Sequence, residues 1–299
     1  MKFNKILSIG VDENKLNADY WNRIDALADH KVILQKDDPS IKDNLKDTDC
    51  LFVNFGIPVT KEDIDNAPNL KYIGILATAF GKVDTEYAKS KEIVVSNLPG
   101  YSTESVAEFT IAAILEQIRN LEEGKKRGRA GNVSEEGITV VEIKGKVFGV
   151  IGLGSIGTRV AELALGFNAD VKYWSKNRKD EAEAKGIKYE ELDSLISDAD
   201  FLSINVAQTP ETERILNQDR FNSLKEGAVV INTAPMELVD LDALVERLKK
   251  GDITFIFDHS DEMEEEDLKK LLPYENCIVY PPIAYVSKEA ALNKQEMFT

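Results

Sequence analysis

Basic residues are in deficit in this chain. Lys and Arg number 37 against 53 Asp and Glu, a formal net charge of −16. Nucleic acid and anionic membranes are therefore poor partners, since both would be repelled. Cysteine is nearly absent. Cys50 and Cys277 are the only two, both in apolar strand-like runs, so they read as buried free thiols rather than a disulfide framework. No apolar run approaches the length of a membrane span. Met1-Lys2-Phe3-Asn4 leads straight into a strand candidate instead of a secretory leader. A reducing, cytoplasmic location is the expectation.

What remains is an ordinary globular composition, 43% hydrophobic and 30% charged over 299 residues, long enough for two domains with separate cores. The first hundred residues alternate strand and helix. Lys5–Gly10, Val32–Gln35, Leu51–Asn54, Tyr72–Leu76 and Ile93–Ser96 are strand candidates, with helical spacing around Tyr20–Leu27, Lys61–Ala67 and Asp84–Ser90. Repeated β-α units predict a parallel sheet covered on both faces. A long helix is predicted from about Thr103 to Leu121, with Ser105 and Glu108 at capping-box spacing. A glycine-rich basic and polar loop then spans Gly124 to about Gly137. Further β-α units follow at Val171–Trp174, Phe201–Ile204, Ala228–Asn232, Asp240–Lys250, Thr254–Asp258 and Ile278–Val279, and a last helix covers Lys288–Phe298.

The informative stretch is Lys146–Gly157, K-V-F-G-V-I-G-L-G-S-I-G. Val147, Phe148, Val150 and Ile151 read as a strand buried on both faces. Gly152, Gly154 and Gly157 follow at G-x-G-x-x-G spacing, with Ser155 and Ile156 between the last two, and Thr158–Gly166 reads as a helix. Strand, glycine turn and helix in that order form a dinucleotide-binding fingerprint. The first glycine allows the tight turn and the second lets backbone approach a pyrophosphate. The third brings helix and strand close, so that the helix N-terminus points free N–H groups at the phosphates. A plain tight turn in an α/β domain is the alternative.

Several stretches together resemble the D-isomer-specific 2-hydroxyacid dehydrogenases, the family of glyoxylate/hydroxypyruvate reductases and phosphoglycerate dehydrogenase. They are Ala77–Asp84, Asn97–Glu108, Glu142–Lys146 running into the glycine turn, Thr209–Thr212, Leu224–Ala234 and Val239–Leu244. The resemblance implies an α/β protein of two doubly wound parallel-sheet domains. A Rossmann cofactor domain, residues 103–281, would be inserted into a flavodoxin-like substrate domain, residues 1–102 and 282–299, with cofactor and substrate in the cleft. It also implies a homodimer built on the cofactor domains. Val206, Ala207, Thr212, Thr233 and Ala234 match positions that line the cofactor, and Asp258 matches a contact to the nicotinamide amide.

In that family an arginine holds the substrate carboxylate, a histidine moves the hydroxyl proton, and a glutamate orients the histidine. In this chain Pro235, Pro282 and Met263 stand at those positions, Met263 between Glu262 and Glu264. No catalytic residue carries over, and no metal site is expected. Ala79 also stands where the substrate loop usually has glycine. Of the two histidines, His30 reads as solvated. His259 is a substitute acid–base or a structural residue; if it shares a strand with Asp258 it faces away from the cofactor. Asp261–Asp267 reads as a solvated acidic loop.

Cofactor choice is written after the second strand of the cofactor domain. Ser175, eighteen positions past Gly157, replaces the acid that binds a ribose 2′-hydroxyl, and Lys176 and Arg178 follow. A hydroxyl beside cations suits a 2′-phosphate, so NADP(H) is expected over NAD(H); a solvated basic turn is the alternative. Two functions stay open. One is an oxidoreductase acting on a small 2-keto or 2-hydroxy acid, and the other is an inactive cofactor-binding sensor, regulator or partner subunit.

Overall fold

The computed structural model describes residues 2–299. Contacts divide the chain into two compact units, one running to Ser102 and resuming at Ser287–Thr299, the other spanning Thr103–Val286. Residues 282–286, assigned by the sequence reading to the first, group with the second. Among the described residues no helix is long and apolar enough to cross a membrane.

The first unit holds β1 (Phe3–Ile9), β2 (Ala28–Leu34), β3 (Cys50–Asn54), β4 (Tyr72–Leu76) and β5 (Val94–Ser96). All are parallel, in the order β2-β1-β3-β4-β5, which is the flavodoxin-like order. Alternation along the central strands builds two cores. Leu7, Leu51, Val53, Ile73 and Ile75 pack on one face, and Ile6, Cys50, Phe52 and Leu76 on the other. The helix Lys288–Phe298 covers the second face with Ala290 and Phe298, the Phe298 ring lying 4.7 Å from that of Phe52. His30 lies in β2 and is exposed. Both thiols are buried and free, and burial pushes each up to about 12.

The second unit carries β6 (Val147–Ile151), β7 (Asp170–Trp174), β8 (Lys188–Tyr189), β9 (Phe201–Ile204), β10 (Val229–Asn232), β11 (Thr254–Phe257) and β12 (Cys277–Val279). The sheet is again parallel, ordered β12-β11-β10-β9-β6-β7-β8. Counted from β6 this is the dinucleotide-binding order, with the strand direction of build-up reversing between β6 and β9. Ligands in such sheets bind beyond the strand carboxyl ends at that crevice.

Three sequence expectations fail here. Leu121–Arg129 is a helix, not a loop, despite Gly124 and Gly128. Arg127 sustains it, pairing with Glu123 one turn back at 2.8 Å and donating to the Glu136 carbonyl at 2.8 Å. Ser105 does not cap the long helix, which starts at Thr103 and runs to Ile118; its hydroxyl donates to the Ala284 carbonyl. The acidic run is not one solvated loop, since Ser260–Glu262 forms a 3₁₀ turn and Glu265–Leu271 a helix.

Asp49 fastens the start of β1 to that of β3. Its buried carboxylate accepts the N–H groups of Asn4 and Lys5 at 3.0 and 2.9 Å. Burial opposes its charge, but these donors and Lys71 outweigh it and hold the carboxyl below its ordinary range. A depressed carboxyl stabilises the fold above its unfolded pKa and loses that contribution as pH falls through the folded value. Asp49→Asn should therefore cost about 1–3 kcal/mol at neutral pH. Urea unfolding at pH 7 and pH 3 should show the gap between variant and parent narrowing at the lower pH.

Candidate functional site

The glycine turn leaves β6 at the crevice. Gly152 has φ +93°, and a Cβ there would lie 2.6 Å from Val206 Cγ1 and 2.8 Å from the Asn205 carbonyl. A Cβ on Gly157 would sit 1.9 Å from the Gly152 carbonyl oxygen. Gly154 differs, because a Cβ there would meet nothing within 4 Å. The helix starts at Ser155, three residues before the expected Thr158, and runs to Gly166. Its first free N–H groups thus come from Ser155, Ile156 and Gly157 beside the exposed Gly154. Open space over a helix N-terminus, walled by two glycines that tolerate no side chain, fits a pyrophosphate.

The other sequence-assigned residues gather along the same carboxyl edge. Val206 and Ala207 follow β9, and Ala207 offers its carbonyl to the Thr212 hydroxyl at 2.7 Å. Thr233 and Ala234 follow β10, where the Ala234 N–H donates to Asn232 Oδ1. Asp258, the first residue past β11, is 1% exposed. Its Oδ2 accepts the Ala284 N–H at 2.9 Å, whereas Oδ1 is buried without a hydrogen-bond partner. Burial raises its pKa. An orphaned carboxylate oxygen at this edge suits an amide donor such as a nicotinamide carboxamide.

Ser175, Lys176 and Arg178 follow β7, but they are not equally available. Arg178 is held by Glu183 through two hydrogen bonds of 3.0 and 2.6 Å and lies over the Tyr189 ring. The Ser175 hydroxyl donates to the Asn177 carbonyl. Lys176 is exposed and makes no ion pair among the described residues.

His259 corrects the strand argument. Because β11 ends at Phe257, Asp258 and His259 are not alternating strand residues, and the imidazole lies on the Asp258 side. Nε2 is 3.9 Å from Asp258 Oδ1, and Nδ1 is 3.6 Å from Glu262 Oε1. Burial opposes the imidazolium, yet Glu262, Asp258 and Asp261 outweigh it and raise the pKa above the ordinary value.

Comparison with known proteins settles the family. The description of the D-isomer specific 2-hydroxyacid dehydrogenase NAD-binding domain matches residues 111–284, and that of the catalytic domain of the same enzymes matches residues 12–176. The chain belongs to the D-isomer specific 2-hydroxyacid dehydrogenase family. A glyoxylate reductase of Thermofilum pendens is 33% identical over 263 residues, 85% of this chain and 77% of the relative. The D-lactate dehydrogenase of Aquifex aeolicus, solved with NAD and lactic acid, superposes with a TM-score of 0.84 at 28% identity, covering 97% of this chain and 92% of that one. An acyclic imino acid reductase solved with NADPH and D-Arg gives 0.83 at 28%, covering 98% and 94%. Binding of a nicotinamide dinucleotide is therefore a family property of this fold.

The three residues that the sequence places at the family's catalytic positions lie on segments following β10, β11 and β12. Pro235 opens the 3₁₀ turn Met236–Leu238 after β10, and Pro282 lies beyond β12. Met263 packs with Met236 against the apolar core. Sequence reasoning missed Glu183, Ser260 and Ala284, whose partners sit 5, 20 and 26 positions away with no repeating spacing.

The glycine geometry separates two variants. Gly157→Ala should destabilise the second unit by about 1–3 kcal/mol, because backbone has to move. Gly154→Ala should unfold at nearly the parental urea concentration yet bind dinucleotide at least about tenfold more weakly, about 1.4 kcal/mol. Urea unfolding and reduced-nicotinamide fluorescence titration read the two effects.

Proposed function

We propose that this chain is an NADP(H)-preferring oxidoreductase for a small 2-keto or 2-hydroxy acid, with the family's usual proton donor and carboxylate clamp replaced. The observation that carries it is the open position over Gly154 at the helix N-terminus. The orphaned Oδ1 of Asp258 on the same sheet edge supports it. Ser155, Ile156 and Gly157 would hold the pyrophosphate through backbone N–H groups, and Val206, Ala207, Thr212, Thr233 and Ala234 would line the rest. When bound, the reduced cofactor supplies hydride to a carbonyl carbon.

The preference for a 2′-phosphate rests on Lys176, the available cation, with Ser175 in place of an acid. Arg178 contributes only on leaving Glu183. Structural neighbours have been solved with NAD and with NADPH, so the architecture accommodates both. Charge-assisted hydrogen bonds contribute roughly 1.5–3 kcal/mol, and exposed cations less. A preference of about tenfold for NADPH is expected. Ser175→Asp should reverse it in the same fluorescence titration, and equal affinities in the parent would leave Ser175–Arg178 as a solvated turn.

Turnover should be slow. Loss of a carboxylate clamp removes orientation and charge stabilisation, commonly about 10²-fold or more in rate. Glyoxylate, hydroxypyruvate and pyruvate should be reduced orders of magnitude more slowly than by a relative with arginine and histidine in place. Loss of NADPH absorbance with each acid measures this. The prolines at 235 and 282 favour a second reading, a cofactor-binding sensor, regulator or partner subunit; no turnover despite tight NADPH binding would select it.

A further inference from the structure

We infer that His259, oriented by Glu262, is the proton donor of this chain, acting from across the segment where the family histidine position is proline. The inference rests on the oxidoreductase reading and narrows it to one imidazole. Its geometry lies wholly within the second unit.

The residues on either side of His259 are fastened to residues on either side of Pro282. Asp258 Oδ2 accepts the Ala284 N–H at 2.9 Å, and the Ser260 hydroxyl donates to the Tyr280 carbonyl at 3.0 Å. The turn bearing the imidazole is therefore strapped to residues 280–284. One of the two straps, Asp258, is also the neighbour of the ring, its Oδ1 lying 3.9 Å from Nε2.

Neither ring nitrogen is committed elsewhere. Nδ1 is buried without a hydrogen-bond partner, 3.6 Å from Glu262 Oε1, and Nε2 is 3.9 Å from Asp258 Oδ1. Both separations exceed hydrogen-bond range but keep the ring between two carboxylates. Glu262 beside Nδ1 favours a proton there and sets the ring's orientation, which leaves Nε2 as the working nitrogen. About a quarter of the side chain stays exposed, so a proton can be replenished from solvent. The charged groups facing the ring are Asp258, Asp261 and Glu262. Behind Glu262, a hollow of about 340 Å³ also holds Glu213, Arg214, Glu237, Glu264 and Asp267. Against the opposing effect of burial, the nearby carboxylates raise the imidazole above its ordinary value.

Two other titratable groups differ from His259 in their surroundings. His30 is exposed in β2 of the first unit. The Tyr280 hydroxyl donates to Glu116, and burial pushes it up to about 12. In the reduction, a bound reduced nicotinamide would give up one C–H bond as hydride and be left oxidised, a C–H bond would form at the substrate carbonyl carbon, and the C=O π pair would pass to oxygen. The Nε2–H bond of His259 breaks and an O–H bond forms, leaving neutral imidazole that regains a proton from water.

With only two histidines, imidazole NMR resolves the question without reference to turnover. NADPH should shift the His259 resonances and leave those of His30 unmoved. Glu262→Gln should lower the His259 titration midpoint. In single-turnover NADPH oxidation with glyoxylate, His259→Gln should slow the reaction about 10²–10⁴-fold while NADPH affinity, which also reports folding, is retained. Glu262→Gln should move the alkaline limb of the pH profile down in step with the NMR midpoint, and His30→Gln should change nothing. Tight NADPH binding with equal rates in parent and His259→Gln, both undetectable included, overturns the inference and leaves the dinucleotide site standing. An alkaline limb unmoved by Glu262→Gln overturns it too. Failure of NADPH to bind the parent removes the oxidoreductase reading and this inference together.

Discussion

The second unit depends on one close approach. The backbone at Gly157 passes so near the Gly152 carbonyl that a Cβ would lie 1.9 Å from its oxygen. No side chain fits that gap. With it absent, the helix Ser155–Gly166 packs directly against β6, burying Val160, Ala161 and Ala164 beside Phe148 and Val150. The same contact aims the helix N-terminus over Gly154, so the approach that completes the core also creates the anion-binding feature. Stability and ligand geometry are here a single constraint.

A second constraint organises the opposite side of the crevice. Asp258 is buried with one oxygen bonded and one orphaned. A buried carboxylate left half-satisfied costs free energy, and its raised pKa expresses that cost. A ligand amide at Oδ1 would relieve the penalty, which couples binding to the stability of this edge. His259 lies 3.9 Å from Oδ1, and when protonated it would offset part of the charge.

The proline positions change what this edge can do, because proline offers neither a titratable group nor a cation. Pro235 takes φ −54° and opens a 3₁₀ turn whose Met236 and Leu238 pack on the core. The loop has thus become part of the packing. Restoring arginine at 235 alone would place a flexible cation on a loop shaped for proline. The chain has the dinucleotide-binding frame of its family, and Asp258, His259 and Glu262 lie together past β11.

The sequence by itself determined the elements whose signal is local. Apolar runs of four to seven residues became the central strands, because strands covered on both faces need no polar alternation. The glycine spacing specified turn, crevice and helix contact, and Asp240 capped the helix Leu241–Leu248 as its residue type requires. Tertiary structure alone decided features whose partners lie far along the chain. The helix Leu121–Arg129 carries two glycines, and it is kept by Arg127 reaching Glu123 and the carbonyls of Ser134 and Glu136. Arg178 reads as a free phosphate ligand until Glu183 is seen to hold it. His259 turns toward Asp258 because β11 ends at Phe257, one residue short of the expected strand Thr254–Asp258, and because Ser260 and Asp258 are bound to residues 20 and 26 positions onward. Periodicity reports which face of an element is buried. It carries no information about single hydrogen bonds between distant loops, and those bonds set where the functional groups point.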